Sequence, residues 1–256
     1  MKPARFEYVA ARSLEEAAAA LQQDEDARVL AGGQSLLPLL NLRLARPSVL
    51  VDINPIPSVL RRSGGTLHIG VTLRQATLER SPLVQRHWPL LGQAVRHVGH
   101  AATRARGTVC GSVAHADPAA ELPTALLALD ARYVTSRGRT LTDFADGPFT
   151  TRLEPGELLV SITVPPLPHG ARTAFHEYAR THGAFATAAA AVVLARDHAA
   201  VAVLGAGRAT DAEDALRNGA SAEQAAKLAG KTVTDPHRRA LVTELTRRAL
   251  VEAGRA

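Results

Sequence analysis

The chain has 256 residues, of which 46% are hydrophobic and 21% charged, and its formal net charge is +6. This length buries roughly 70–75% of the surface of the unfolded chain, and the composition excludes a largely disordered or collagen-like protein. The single cysteine, Cys110, excludes an internal disulfide, a cysteine-rich zinc site and an iron–sulfur cluster. Any redox chemistry must therefore use a bound cofactor.

Helix and strand patterns alternate in the first part of the chain. Ser13 followed by Glu16 predicts an N-cap with a capping box, and hence a helix over 13–21. A short strand is predicted over 28–31, running into a Gly-Gly pair, and a second strand over 49–52. The proline-punctuated segment 54–57 predicts a first domain boundary.

The remaining elements predict a fold that ends with segregated strands and helices. In order they are a strand over 66–70, helices over 73–80, 89–98 and 121–129, strands over 131–135, 158–164, 174–178, 186–195 and 199–204, and helices over 211–217, 222–228 and 237–252. Three prolines within 165–168 predict a second boundary. The fold class is therefore predicted to be α+β, with domains over 1–56, 57–168 and 169–256.

The apolar runs and the distribution of charge bear on the cellular location of the protein and on whether it binds nucleic acid. Its beginning lacks the apolar core of a secretory signal, and its longest apolar run, 184–195, is too short to span a bilayer. We therefore expect a cytoplasmic protein. Its arginines are scattered and its aromatic residues few, so we expect no nucleic-acid partner.

A Gly-Gly pair in the segment 30–38 marks the first candidate ligand-binding site. A strand enters Gly32 and Gly33, which are followed by the polar residues Gln34 and Ser35. Glycines let the backbone approach a ligand closely, and successive N–H groups can bind phosphate. The alternative is a simple connection between strand and helix. The segment matches neither the Walker loop nor the Gly-x-Gly-x-x-Gly pattern.

The segment 104–123 is the second candidate. Its small residues, hydroxyls and glycines predict an irregular backbone that can lie against a planar ligand. Asp117 and Glu121 could accept hydrogen bonds from ribose hydroxyls or a neighbouring amide. The alternative is a buried structural loop with an Asp-Pro turn and a helix beginning near Ala119.

Together, AGGQSLLPLLNLRLARP (31–47) and VGHAATRARGTVCGSVAHADPAAELP (98–123) resemble the FAD-binding medium subunit of molybdenum hydroxylases. That family includes the flavoprotein subunits of aerobic carbon monoxide dehydrogenase and of bacterial enzymes of the xanthine dehydrogenase type. The resemblance continues through 126–134, 147–165, 175–186 and 203–207 into the helical tail. It implies a PCMH-type FAD-binding fold with a small C-terminal α+β domain, and FAD as the cofactor.

The resemblance also implies which residues touch the cofactor. By motif position, the pyrophosphate of FAD would be held largely by backbone N–H groups of Ala31, Gly32, Gly33, Gln34, Ser35 and Leu36. A second FAD loop would consist of Gly107, Thr108, Val109, Cys110, Gly111 and Ser112. Val98 would lie near the ring system, Glu121 at an acidic position that contacts the cofactor, Leu159 at a flavin-packing position and His176 near a frequent lysine.

Several positions depart from the family pattern. Cys110 and Gly111 replace the usual Gly-Gly, and Ala105 replaces the asparagine of Arg-Asn-Arg. A side chain at Cys110 would narrow the flavin site, or shift its redox behaviour if the thiol faces the ring. Ala184 stands where an acidic residue is common, and Thr181 replaces a frequent arginine.

The function implied by the resemblance is electron transfer within a hetero-oligomer. A small iron–sulfur subunit would deliver electrons, a large molybdopterin subunit would hydroxylate the substrate, and the flavin would reduce NAD, oxygen or a quinone. The alternatives are a stand-alone FAD-dependent oxidoreductase and a flavin-fold scaffold that has lost FAD. We predict no catalytic acid or base. We also predict no metal site, because no third metal ligand is fixed by spacing near His97 and His100.

Overall fold

The computed structural model describes residues 2–254. Helices are α1 (Leu14–Gln23), α2 (Leu36–Asn41), α3 (Gln75–Arg80), α4 (Pro82–His87), α5 (Pro89–Val95), α6 (Ala101–Arg106), α7 (Val109–His115), α8 (Glu121–Ala128), α9 (Thr210–Arg217), α10 (Ala222–Gly230) and α11 (Pro236–Gly254). Strands are β1 (Glu7–Ala10), β2 (Arg28–Leu30), β3 (Val49–Asp52), β4 (Leu60–Ser63), β5 (Thr66–Gly70), β6 (Arg132–Thr135), β7 (Thr140–Leu141), β8 (Ala145–Gly147), β9 (Thr150–Thr151), β10 (Leu159–Val164), β11 (Arg172–Ala179), β12 (Ala186–Ala195), β13 (His198–Val203) and β14 (Gly207–Arg208). Within residues 2–254, no helix has the length and apolar character needed to cross a bilayer.

The chain forms two compact units, each assembled from segments that are distant in sequence. Unit 1 comprises Met1–Thr77, Ala101–Ala116 and Arg132–Thr163. Unit 2 comprises Leu78–His100, Asp117–Ala131 and Val164–Ala256. The division into three consecutive domains stays a prediction.

A small parallel sheet opens unit 1. Its strand order is β1-β3-β2, and helix α1 contacts β3. The predicted N-cap is present, since the Ser13 hydroxyl accepts a hydrogen bond from the N–H of Glu16 at 3.1 Å. The Glu16 carboxylate accepts from the N–H of Arg12 at 2.7 Å, one residue earlier than the capping box requires. The sequence therefore predicted the start of this helix correctly and only half of its capping box.

A larger sheet forms the rest of unit 1. Its strand order is β4-β5-β10-β6-β7, and β8 and β9 pair separately as a hairpin. On β5, Leu67 and Ile69 are fully buried while the residues between and beside them are half-buried. This alternation is the pattern of a strand with one face in a core.

Unit 2 is built on an antiparallel sheet, β11-β12-β13-β14. Ala188, Ala190 and Val192 alternate along β12 and lie in one buried cluster with residues of α9, α10 and α11. The buried residues of this cluster are mostly alanines and valines. Short side chains let helices approach a sheet closely, so the alanine bias of the sequence serves this packing.

Several elements differ from the sequence predictions. The second candidate segment contains the end of helix α6 and all of helix α7 where an irregular backbone was predicted, and that prediction is wrong. Helix α7 forms because the Thr108 hydroxyl accepts the N–H of Gly111 at its start, while Val109 and Cys110 are buried. The predicted helix over 89–98 ends at Val95, as α5.

Candidate functional site

Two glycine-containing loops meet within unit 1. We call residues 31–36 loop 1 and residues 107–112 loop 2. Loop 1 follows strand β2, and loop 2 begins where helix α6 ends. A Cβ atom on Gly32 would lie 2.5 Å from the Arg106 carbonyl oxygen and 2.7 Å from Gly107 Cα. The two backbones are therefore in direct contact, and only glycine fits at position 32.

Loop 2 is anchored to the chain that follows strand β5. The N–H of Gln75 donates to the Gly107 carbonyl at 2.9 Å, and the N–H of Val109 donates to the Leu73 carbonyl at 2.9 Å. A Cβ on Gly107 would lie 2.6 Å from Gln75 Oε1. A Cβ on Gly111 would lie 2.5 Å from the Thr108 hydroxyl. Loop 2 therefore needs its glycines for packing within the protein.

Loop 1 presents a run of unpaired backbone donors. Among residues 2–254, none accepts a hydrogen bond from the N–H groups of Gly32, Gly33, Gln34 or Ser35. Gly33 has a φ of 73°, a conformation that glycine adopts without strain. Successive unpaired N–H groups in such a turn form a concave site for anions. Loop 1 is therefore suited to bind phosphate oxygens.

Cys110 faces the interior of unit 1. Its side chain is buried, and its thiol donates a long hydrogen bond to the Gly70 carbonyl at the end of β5, at 3.7 Å. Burial raises the pKa of the Cys110 thiol to about 12. The thiol is therefore neutral and unreactive at physiological pH.

Leu159 and Val98 are the two residues that were predicted to contact the cofactor through apolar surface. Leu159 lies in unit 1, buried on β10 and paired with Thr135 of β6. Val98 lies in unit 2, half-buried just after α5, where its N–H donates to the Val95 carbonyl at 3.2 Å. The structure therefore places them in different units.

Glu121 and His176 both lie in unit 2. Glu121 is buried at the start of α8, and burial, with a smaller contribution from Asp117, raises its pKa to about 7. The Asp-Pro turn is present too, because Asp117 Oδ1 accepts the N–H of Ala119 at 2.8 Å. His176 on β11 places Nε2 2.8 Å from a carboxylate oxygen of Glu252 on α11.

Glu177, next to His176, is a residue that the sequence analysis missed. Its side chain is only 5% exposed, its Oε1 lies 3.7 Å from His97 Nδ1, and Oε2 has no hydrogen-bond partner among the described residues. Burial, together with the charge of Glu121, raises the pKa of Glu177 to about 8. An alternating strand pattern gives no sign of a buried carboxyl, so no sequence signal pointed to it.

Asn54 and Arg74 were missed as well, because they occupy a predicted break and the start of a predicted helix. Asn54 Nδ2 donates to the Ala31 carbonyl at 2.8 Å, next to loop 1. Arg74 donates to the Arg106 carbonyl, next to loop 2. A cavity of about 470 Å³ in unit 1 is lined by Asn54, Pro55, Ile56, Pro57, Ser58, Leu60, Thr72, Leu73, Arg74 and Thr77. Its lining includes none of the predicted site residues.

Comparison with known proteins identifies the family. Residues 4–167 match the model of the FAD binding domain in molybdopterin dehydrogenase. The chain is 44% identical to the 6-hydroxypseudooxynicotine dehydrogenase complex subunit alpha of Paenarthrobacter nicotinovorans, over 84% of this chain and 79% of that protein. It is 38% identical to the nicotine 6-hydroxylase medium subunit of the same organism, over 99% of each chain.

A solved structure of a related protein has the same fold. Carbon monoxide dehydrogenase from Hydrogenophaga pseudoflava, in a form that lacks the Mo-pyranopterin moiety of the molybdenum cofactor, contains a chain that superposes with a TM-score of 0.93 at 35% identity, over 99% of both chains. The predicted α+β fold of PCMH type and the predicted FAD cofactor are thereby confirmed. The chain belongs to the family of FAD-binding domains of molybdopterin dehydrogenases, and it is an FAD-binding oxidoreductase subunit of the molybdenum hydroxylase type.

Proposed function

We propose that loops 1 and 2 together bind FAD, with loop 1 holding its pyrophosphate mainly through backbone N–H groups. The observation that carries this proposal is the direct backbone contact of Gly32 with Arg106 and Gly107, beside the unpaired donors of 32–35. A side chain on Gly32 would separate the loops, and an anion supplies the acceptors that the free N–H groups lack. These residues fit a phosphate-bearing cofactor without any dedicated lysine.

For the other predicted residues, the cofactor contacts that we propose rest on the family resemblance. We assign Val98 and Leu159 to apolar contacts with the cofactor, Glu121 to a polar contact with it, and His176 to a position close to it. The raised pKa of Glu121 keeps a large fraction of this carboxyl protonated near neutral pH, so that it can donate as well as accept a hydrogen bond. Bound FAD would supply the redox chemistry, since the flavin accepts and donates electrons.

We further propose that the chain works in a hetero-oligomer with an iron–sulfur small subunit and a molybdopterin large subunit. Its one cysteine leaves it unable to hold an iron–sulfur cluster, so any cluster that delivers electrons to it must lie in another chain. Its role there is to hold the cofactor between the clusters and an external acceptor. The relatives act on nicotine derivatives and carbon monoxide by their names, and the substrate of this complex would bind to its large subunit.

Purification of the complex from its source, through a tag on this chain, tests the partner assignment. We expect mass spectrometry to identify both a molybdenum-containing subunit and an iron–sulfur subunit. Recovery of the chain as a yellow protein without them would favour the stand-alone oxidoreductase. Recovery without flavin would favour the scaffold.

Electron transfer is tested on the same complex after anaerobic reduction with dithionite. Mixing with NAD, oxygen or a quinone should reoxidise the clusters rapidly in the wild-type complex and much more slowly in a flavin-depleted Gly32→Ala complex. Gly92→Ala is the matched control, because a Cβ there meets nothing within 4 Å. Equal rates in the presence and absence of flavin would contradict the proposal. A cytoplasmic location is part of the same proposal, and cell fractionation tests it.

A further inference from the structure

Asn54 and Arg74 connect the two loops by a continuous chain of hydrogen bonds. Asn54 Nδ2 donates to the carbonyl of Ala31, the first residue of loop 1. Asn54 Oδ1 accepts from Arg74 Nη2 at 2.6 Å, and Arg74 Nη1 donates to the carbonyl of Arg106, just before loop 2. We call this pair the Asn54–Arg74 bridge.

Asp52 fixes the orientation of Asn54. The Asp52 carboxylate accepts the backbone N–H of Asn54 at 2.9 Å and a further bond from its side-chain amide, and it also accepts the Tyr8 hydroxyl at 2.5 Å. Burial opposes ionisation of Asp52, but the hydrogen bonds from Tyr8 and Asn54 and the charge of Arg106 outweigh it and lower its pKa. Asn54 is thus held by a charged acceptor at the end of β3.

Arg74 uses both of its terminal nitrogens on the protein itself. An arginine beside a phosphate site is commonly a direct ligand of the anion, because the N–H groups of its planar guanidinium match two phosphate oxygens. Here the guanidinium of Arg74 donates instead to a backbone carbonyl and to the Asn54 side chain. Its contribution to cofactor binding must therefore act through the loops.

We propose that the Asn54–Arg74 bridge is a positioning device that sets the separation of loops 1 and 2, so that both face the same cofactor. This inference rests on the proposed role of the loops in binding FAD. A bridge acts as a unit, since loss of either member disconnects Ala31 from Arg106. Removal of the second member should then cost little more than removal of the first.

A double-mutant cycle on the apoprotein tests this, with the Kd for FAD measured by quenching of flavin fluorescence. We expect Asn54→Ala and Arg74→Met each to raise the Kd about thirtyfold, and the double variant to match either single variant within about threefold. Arg74→Lys keeps the charge but only one of the two bonds, so the connection is still broken and its Kd should match that of Arg74→Met within about threefold. Arg61→Met, which removes an exposed arginine of β4, is the control for loss of charge and should bind as wild type.

The salt dependence of the Kd separates positioning from direct contact. Because Arg74 makes no phosphate contact in this account, the slope of log Kd against log salt should be the same for Arg74→Met and wild type. Additive effects in the cycle, or a flatter slope in Arg74→Met, would overturn the bridge. Thermal unfolding of each variant verifies that it is folded at the titration temperature. Failure of wild-type apoprotein to bind FAD would instead overturn the proposed function of the loops.

Discussion

The two units use their smallest residues for different purposes. In unit 1, Gly32 allows two backbones to touch, because a Cβ at this position would lie 2.5 Å from the Arg106 carbonyl oxygen. In unit 2, alanines on β12 allow helices to lie close to a sheet, and the result is a continuous apolar core. The first arrangement leaves backbone donors free for a ligand, whereas the second buries its surface completely. We therefore expect unit 1 loops to control cofactor affinity and the unit 2 core to control stability.

Leu250→Ala should have the largest effect, and on stability alone. Leu250 is buried in the unit 2 core on α11, so the cavity left by this substitution should lower the free energy of unfolding by about 3 kcal/mol. Urea unfolding followed by circular dichroism measures it. Leu44→Ala, at a side chain that is 73% exposed, makes the same chemical change and should cost less than about 0.5 kcal/mol. If the folded Leu250→Ala protein lost FAD affinity, the unit 2 core would control cofactor binding as well as stability, contrary to this expectation.

Gly32→Ala should have the converse effect. The added methyl group meets the Arg106 carbonyl and must push the loops apart, which we expect to weaken FAD binding by about 2 kcal/mol, roughly thirtyfold. Fluorescence titration of the apoprotein measures the Kd. Gly92→Ala in helix α5 has free space for its methyl group and should bind FAD as wild type does. Equal affinity in wild type and Gly32→Ala would show that contact between the loops is irrelevant to the site.

Glu177→Gln should change how the stability of the protein depends on pH, because it removes a buried titrating group from unit 2. The folded protein holds the Glu177 proton up to a pKa of about 8, against 4.5 for an ordinary glutamate, so the folded state binds more protons in between. Stability attributable to Glu177 is therefore full below pH 4.5 and is lost as the pH rises to about 8. Glutamine resembles the protonated form throughout.

We expect Glu177→Gln and wild type to melt together at pH 4, and the variant to melt at least about 2–4 °C higher at pH 8.5. Glu25→Gln, at an exposed position in unit 1, makes the same change in charge and should not reproduce this divergence. A difference in Tm that is independent of pH would count against a buried, protonated Glu177.

Cys110→Ala should have the smallest effect. The thiol is buried against β5, so its loss should cost about 1 kcal/mol of unfolding free energy. In the native wild-type protein the thiol should react with a disulfide reagent far more slowly than after denaturation, because burial raises its pKa to about 12. Rapid reaction of the native protein would place the sulfur at the surface of loop 2 instead.

The sequence was informative wherever local patterns decide structure. Ser13 predicted the start of α1, and the apolar run of β12 was predicted at its exact bounds, 186–195. Loops 1 and 2 were found from glycines and from a family pattern. Helix α7 was not predicted, because its glycine and hydroxyl residues are typical of loops in isolation. Its formation depends on burial of Val109 and Val113, which is a tertiary effect.

The positioning residues had no local signature. Asn54 sits in a proline-rich break and Arg74 is one of many arginines, so only the hydrogen bonds of the fold reveal that they join Ala31 to Arg106. Glu177 was not predicted for a similar reason, since the residues that bury its carboxyl are distant from it in sequence. Contacts between segments separated in sequence carry this information, and composition and spacing do not.

The most direct test of the account is the backbone amide NMR spectrum of the apoprotein during titration with FAD and, separately, with ADP, which carries the pyrophosphate but not the flavin. We expect both ligands to produce their largest shifts at Gly32, Gly33, Gln34 and Ser35 in loop 1, together with shifts in loop 2. Saturation with FAD that leaves the loop 1 amides unshifted would contradict the claim that loop 1 forms the pyrophosphate site.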